Sequence, residues 1–187
     1  VTITIILMYT FKSKNRTFRR VWASMQMKLL GIKLDVVGEI DPNADMLVMN
    51  HQYILDIMIF EYLHPKNLAW VAKKEIADIP WFGHILKAPD MIIIERESKS
   101  SLVKLIKESK EKLEQGRPIA IFPEGTRSDG NKIRKFKAGA KMIANKYKMK
   151  VQPVVLIGTR DILDSQNLRQ NSGVVKVIYL PVIEAKK

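Results

Sequence analysis

Short apolar runs rich in β-branched residues recur along this chain, separated by stretches of helical spacing, and that alternation constrains the fold most strongly. Ile32 to Ile40 alternates well enough for a strand, and Asp41-Pro42-Asn43 is a turn. Met46 to Met49, Leu68 to Ala72, Met91 to Ile94, Pro118 to Phe122, Val151 to Ile157 and Val174 to Leu180 read as further strands. Between them lie helical stretches. Residues 3–30 are expected to be helical with Gly31 as the stop, Leu55 to Leu63 is a short helix ending near His64-Pro65, and Pro80 to Gly83 begins a short helix or turn. Ser101 to Gln115 carries Leu102, Leu105, Ile106 and Leu113 on one stripe, an expected Glu108–Lys112 pair, and Gly116 as its end. Ala140, Ile143, Ala144 and Tyr147 mark another helix. This is the pattern of an α/β fold with a mixed, largely parallel sheet flanked by helices. Loops after the strand ends are where such folds carry their chemistry.

The 187 residues suit a single core, and a hydrophobic content of 47% is enough to build it. We divide the chain into an N-terminal helical segment, 1–31, and a globular domain, 32–187. There is no cysteine, which excludes disulfides and thiolate zinc sites. With three histidines and no His/Cys cluster, a metal site has little support.

The formal net charge of +13 points to an anionic partner: nucleic acid, anionic lipid or a small anionic substrate. Its distribution helps to choose. Val1 to Leu34 holds no acid, while Lys12, Lys14, Arg16, Arg19, Arg20, Lys28 and Lys33 supply more than half of the +13. Before them lies an uncharged apolar run, Val1 to Phe11. As a helix it reaches only ~16 Å at about 1.5 Å per residue, against a hydrocarbon core of ~30 Å. As given it cannot span a bilayer, although a chain starting at Val can be the end of a longer segment. An apolar run followed by basic residues suits an amphipathic, membrane-associated helix with its charges on the cytoplasmic side. A core helix with a solvated basic flank is the alternative.

Polar clusters follow three of the expected strands: Asn50-His51…Asp56, Glu95-Arg96, and Pro123 to Ser128. Five residues apart on an ideal helix, His51 and Asp56 would lie about 140° from each other. To meet, His51 must sit in the loop and Asp56 inside the helix. A carboxylate on one ring nitrogen would then fix the tautomer and leave the other free to take a proton. The alternative is a capping histidine beside an unrelated aspartate. In Phe122 to Ser128, Pro123 cannot continue a ladder and Gly125 allows a tight turn with exposed N–H groups. Such groups bind phosphate or an oxyanion, and Arg127 offers a planar fork for phosphate. The alternative is a turn with an incidental Glu124–Arg127 pair. No Gly-x-Ser-x-Gly elbow, P-loop or Gly-x-Gly-x-x-Gly is present, which disfavours a serine hydrolase, a nucleotide hydrolase and a dinucleotide enzyme.

Together these blocks resemble the PlsC-type glycerolipid acyltransferase family. Asn50-His51-Gln52-Tyr53-Ile54-Leu55-Asp56 is similar to its Asn-His-x4-Asp, and Ile92 to Arg96 ends in its acidic–Arg pair. Phe122-Pro123-Glu124-Gly125-Thr126-Arg127-Ser128 matches its third block, followed by Phe136-Lys137-Ala138-Gly139, and Val151 to Val155 stands as the fourth. Asp90 stands where the second block usually has Gly, and Glu95 replaces the commoner Asp. The resemblance implies a fatty acyl transfer from acyl-CoA or acyl carrier protein to the sn-2 hydroxyl of 1-acylglycerol 3-phosphate. It implies His51 as general base, oriented by Asp56. Arg127, Arg96 and Lys73 would hold the acceptor phosphate. Gly125 would offer backbone donors, Glu124 would order the loop or contact the glycerol, and Thr126 and Lys137 would complete the substrate-binding set. No metal or bound cofactor is implied, and the place of work would be the cytoplasmic face of the inner membrane. Rival readings are the same chemistry on glycerol 3-phosphate or a lyso-aminolipid, or a basic module binding lipid or nucleic acid. No helix-turn-helix or RNP-type signature supports nucleic acid.

Overall fold

Successive residues of the central strands point alternately into two cores. Met46 packs on one side of the sheet and Leu47 on the other, as do Ala69 and Trp70, and Ile119 and Ala120. Strands buried on both faces need apolar residues at every position, which is why these runs show no polar alternation in the sequence. The computed structural model describes residues 1–95, 99–128, 132–164 and 169–185.

The elements run in the order α1 (Thr2–Thr10), α2 (Asn15–Leu29), β1 (Ile32–Val37), β2 (Met46–Met49), α3 (Leu55–Leu63), β3 (Ala69–Lys73), α4 (Lys74–Ala77), α5 (His84–Lys87) and β4 (Ile92–Ile94). They continue through α6 (Lys99–Glu114), β5 (Ile119–Ile121), α7 (Ala138–Tyr147), β6 (Lys150–Ile157), α8 (Thr159–Ile162), β7 (Leu163–Asp164), β8 (Arg169–Gln170), β9 (Gly173–Tyr179) and β10 (Ile183–Glu184). The main sheet is eight-stranded, in the order β1-β9-β6-β2-β5-β3-β4, with β10 paired to β6. Strands β6, β2, β5, β3 and β4 are mutually parallel, while β9 runs antiparallel to β6 and carries β1 parallel to itself. The mixed, largely parallel sheet expected from the sequence is therefore present. Helices α2 and α3 supply one core with Met27, Leu55, Met58, Ile59 and Phe60; α6 and α7 supply the other with Leu105, Ala140 and Ile143.

Three local expectations are corrected. Residues 3–30 are not one helix. The chain leaves helical geometry at Phe11 (φ −124°, ψ 67°), makes a 3₁₀ turn at Lys12–Lys14 and restarts as α2. Asn15 donates its side-chain amide to the Lys12 carbonyl at 2.8 Å, a local bond of the kind that competes with helix continuation. The Glu108–Lys112 pair does not form. Lys112 lies on the buried stripe of α6 and bonds the Asp90 carboxylate, while Glu108 pairs with Lys104 at 3.6 Å. Finally, the basic N-terminal cluster is not wholly on the surface. Arg16 donates to the carbonyls of Lys66, Glu61 and His64 at the end of α3, and Arg19 is buried against Glu61 and Asn67. Lys12, Lys14 and Arg20 remain exposed.

Gly31 ends α2 with φ +61° as expected. Asp90 also has a left-handed backbone, φ +55°, a conformation a glycine adopts without strain.

Candidate active site

Because β2, β5 and β6 are neighbours running the same way, the residues after their last ladder pairs meet at one edge of the sheet. After β2 the chain is tied to β6 by Asn50. Its side-chain amide donates to the Leu156 carbonyl at 2.8 Å and its oxygen accepts the Leu156 N–H at 2.7 Å, so a side chain continues the ladder one step. Gln52 is held similarly, its side-chain oxygen accepting the Thr159 hydroxyl at 3.1 Å. Sequence reasoning assigned no role to either residue. Their signal was a pair of amides flanking a histidine immediately after an apolar run.

Between them, His51 lies outside the helix and Asp56 in the first turn of α3, the arrangement their spacing required. Asp56 Oδ2 is 2.7 Å from His51 Nδ1, and it also accepts the backbone N–H groups of Gln52 at 2.7 Å and Tyr53 at 2.9 Å. The carboxylate is fully buried, so these charge-assisted bonds fix its position, and with it the imidazole. With Nδ1 engaged as donor, Nε2 carries the free lone pair, and among the described residues nothing bonds it. The pair is a contact, not a coincidence of spacing. The face of the His51 ring stacks on Phe122, centroids 4.0 Å apart and planes 13° apart.

The loop after β5 folds onto the same histidine through its main chain. Glu124 is buried; its Oε1 accepts the His51 N–H at 2.8 Å and its Oε2 accepts the Arg134 N–H at 2.7 Å. Ser128 N–H donates to the His51 carbonyl at 2.7 Å. Glu124 thus orders the loop and does not pair with Arg127, whose guanidinium carbon stands 5.3 Å from the centroid of the Tyr53 ring. Gly125 has φ +73°, and a Cβ there would meet Lys137 Cε at 3.0 Å. Lys137 is therefore drawn across the turn, and its own N–H donates to the Pro123 carbonyl at 2.9 Å. The Gly125 N–H is spent on the Phe122 carbonyl at 3.0 Å and is not available to an oxyanion. Among the described residues, the amides of the exposed Thr126 and Arg127 have no such partner.

Lys73, at the end of β3, pairs with Glu75 at 2.7 Å, and Glu95, after β4, lies 3.8 Å from Lys74. Arg96 lies outside the described residues. Beside the loop, a cavity of about 320 Å³ is walled by Val71, Ile94, Leu102, Leu105, Ile121 and Ala140, with Phe122, Gly125 and Lys137 also on its lining.

A family profile described as "Acyltransferase" matches residues 40–157, the segment holding His51, Asp56, the Glu124 loop and Lys137. The chain belongs to the acyltransferase family. This acyltransferase is 44% identical over 179 residues to the 1-acyl-sn-glycerol-3-phosphate acyltransferase of Helicobacter pylori, covering 94% of this chain and 76% of that protein. It is 30% identical to the Cocos nucifera protein of the same name, covering 89% of this chain and 55% of the plant protein. Its fold is similar to the crystal structure of the LPA acyltransferase PlsC from Thermotoga maritima, with a TM-score of 0.76 at 24% identity, over 97% of this chain and 76% of that one.

Proposed function

We propose that this acyltransferase moves a fatty acyl group from a thioester to the sn-2 hydroxyl of 1-acylglycerol 3-phosphate, giving phosphatidic acid. The observation that carries the chemistry is His51 Nδ1 held at 2.7 Å by a buried Asp56, which leaves Nε2 as a proton acceptor. The acceptor identity rests on the names of the relatives. His51 Nε2 takes the hydroxyl proton as the oxygen attacks the thioester carbonyl. The resulting tetrahedral oxyanion collapses, the C–S bond breaks, and the imidazolium returns its proton to the thiolate. General base catalysis of this kind contributes ~10²–10⁴-fold. No side-chain nucleophile is needed, and the thioester itself supplies the activated acyl group without a resident metal or cofactor.

In this reading Arg127, Lys73 and Lys137 hold the acceptor phosphate, the role the sequence also gives to Arg96. The amides of Thr126 and Arg127 replace that of Gly125 as oxyanion donors, and the apolar cavity receives an acyl chain. Either acyl-CoA or acyl carrier protein is chemically competent as donor. Helix α1 supports a membrane-surface location at the cytoplasmic face. Ile3 is 75% and Ile6 51% exposed, Phe11 is also exposed, and Lys12, Lys14 and Arg20 follow. Among the described residues no helix is long and apolar enough to cross a membrane.

The test is thiol release from acyl-CoA in mixed micelles, with lysophosphatidate beside glycerol 3-phosphate and an uncharged lyso-acceptor. The chain has no cysteine, so a thiol reagent reports the product alone. Turnover should require lysophosphatidate. His51→Ala should lose most of it in a folded protein, and Asp56→Asn should be impaired less, because the base survives with poorer orientation. Near-normal turnover by a folded His51→Ala protein would sink the mechanism, and preference for another acceptor would reassign the substrate.

A further inference from the structure

Asp56 anchors Nδ1 of the His51 ring, and that bond with the covalent link to Cβ still leaves the ring some rotation about χ1 and χ2. The plane of the imidazole, and hence the direction of Nε2, needs a second support. Phe122 supplies it, lying nearly parallel to His51 with centroids 4.0 Å apart. Phe122 is itself stacked on Trp70, at 5.5 Å and 24°. Strand order agrees, since β5 lies between β2 and β3 and so places Phe122 between the other two rings.

Trp70 is almost wholly buried, and its indole N–H donates to Glu61 Oε1 at 2.7 Å. The same oxygen accepts Arg19 of α2, whose guanidinium also reaches the Asn67 side-chain oxygen. Glu61 and Arg19 are 6% and 5% exposed. A buried ion pair adds little over a well-packed apolar pair, but it fixes geometry, because its charges tolerate few other arrangements. Here that geometry includes the indole nitrogen.

We propose that Glu61 and Trp70 are positioning residues for the His51 ring: Glu61 pins the Trp70 indole, and the pinned indole holds Phe122 as the wall that sets the imidazole plane. This rests on the reading of His51 as the base. It makes α2, through Arg19, a distant part of the active-site support.

The test uses the full chain in mixed micelles and two independent readouts. Three histidines make the imidazole proton spectrum simple, and His51→Ala assigns the resonance of interest. Trp70→Phe keeps a ring in place and removes the N–H. It should lower kcat about 3–10-fold, leave the KM for acyl-CoA within about twofold, and shift the His51 ring protons as the Phe122 ring current changes. Glu61→Gln keeps an acceptor for the indole, whereas Glu61→Leu does not; both lose the Arg19 ion pair. Glu61→Gln should therefore retain kcat and the His51 resonance better than Glu61→Leu, although both melt earlier than wild type. Should Trp70→Phe fail to fold, the Gln/Leu comparison decides alone. Unmoved His51 resonances, or equal losses in the Glu61→Gln and Glu61→Leu proteins, overturn the positioning role. Active His51→Ala would instead remove the base reading, an outcome the spectra cannot mimic.

Discussion

Glu124 and His51 are joined through the main chain: Glu124 Oε1 accepts the His51 backbone N–H at 2.8 Å, while its second oxygen accepts that of Arg134 at 2.7 Å. One buried carboxylate therefore satisfies two amides from separate loops. Glu124→Gln keeps one acceptor oxygen and turns an NH₂ toward the other amide. Losing a charge-assisted bond and leaving an amide unpaired should cost about 1.5–3 kcal/mol. At this chain length that is a fall in Tm of ~3–12 °C. Turnover should fall with it, since His51 and the Arg127 turn lose their shared anchor. A thermal melt beside the thiol assay checks both, and an unchanged Tm would show that the carboxylate is dispensable to the loop.

Gly125 combines a left-handed backbone, φ +73°, with Lys137 lying across it. Gly125→Ala should cost roughly 1–2 kcal/mol from the backbone alone and should displace Lys137. Pairing it with Lys137→Ala separates the contributions. The double variant should recover whatever the crowding cost but not the backbone strain. Strict additivity of the two changes, in stability and in KM for lysophosphatidate, would mean that the contact carries no energy.

Arg127 is exposed and lies over Tyr53, so its fork is presented at the loop surface. Arg127→Lys keeps the charge but loses the planar fork. The expected result is a marked rise in KM for a phosphorylated acceptor with little change for acyl-CoA. Equal effects on both substrates, or none, would assign Arg127 to the donor or to the loop.

His64 is buried, and its Nδ1 accepts the Lys66 N–H at 3.1 Å. Burial, outweighing the Lys66 carbonyl 3.3 Å from the same nitrogen and joined by the Arg16 and Lys66 charges, pushes its pKa down from the ordinary 6.5 to about 4. The unfolded chain thus takes up this proton first as pH falls. The stability the neutral ring contributes is complete above about pH 6.5 and is lost on descending to about pH 4, on the order of 3 kcal/mol. Melting curves between pH 7 and 4.5 should fall less steeply for His64→Gln than for wild type. Parallel curves would mean that His64 titrates alike in both states.

The central strands and the His51–Asp56 contact were legible because each depends on local chemistry: continuous apolar runs, and a spacing that demanded a loop followed by a helix. What was missed depends on partners remote in sequence. Lys112 has an acceptable helical neighbour in Glu108, yet its place on the buried stripe commits it to Asp90. Arg16 and Arg19 read as surface charge because nothing near them in sequence is acidic, but their acceptors lie on α3 and just beyond it. For the same reason a deletion through residue 20 would remove part of the core, and only α1 can be trimmed without breaking that network. The short elements α4, α8 and β10 have too few residues to show periodicity. Asp90, like the amides flanking His51, kept a legible clue, since a glycine is usual at its place in the family and its backbone is left-handed.

The register of β1 has a consequence for how the protein is made. Every ladder partner of Ile32–Val37 lies between Gly173 and Ile178, far along the chain, so this strand is made long before its sheet neighbour. As the last strand of the sheet β1 keeps its outer edge open, but until β9 arrives its inner edge is open too, of the kind that captures foreign strands. Closing it waits on a contact of long sequence separation, which is slow to form. Expression yield, more than the melting temperature of the finished molecule, is where substitutions in β9 will first be felt.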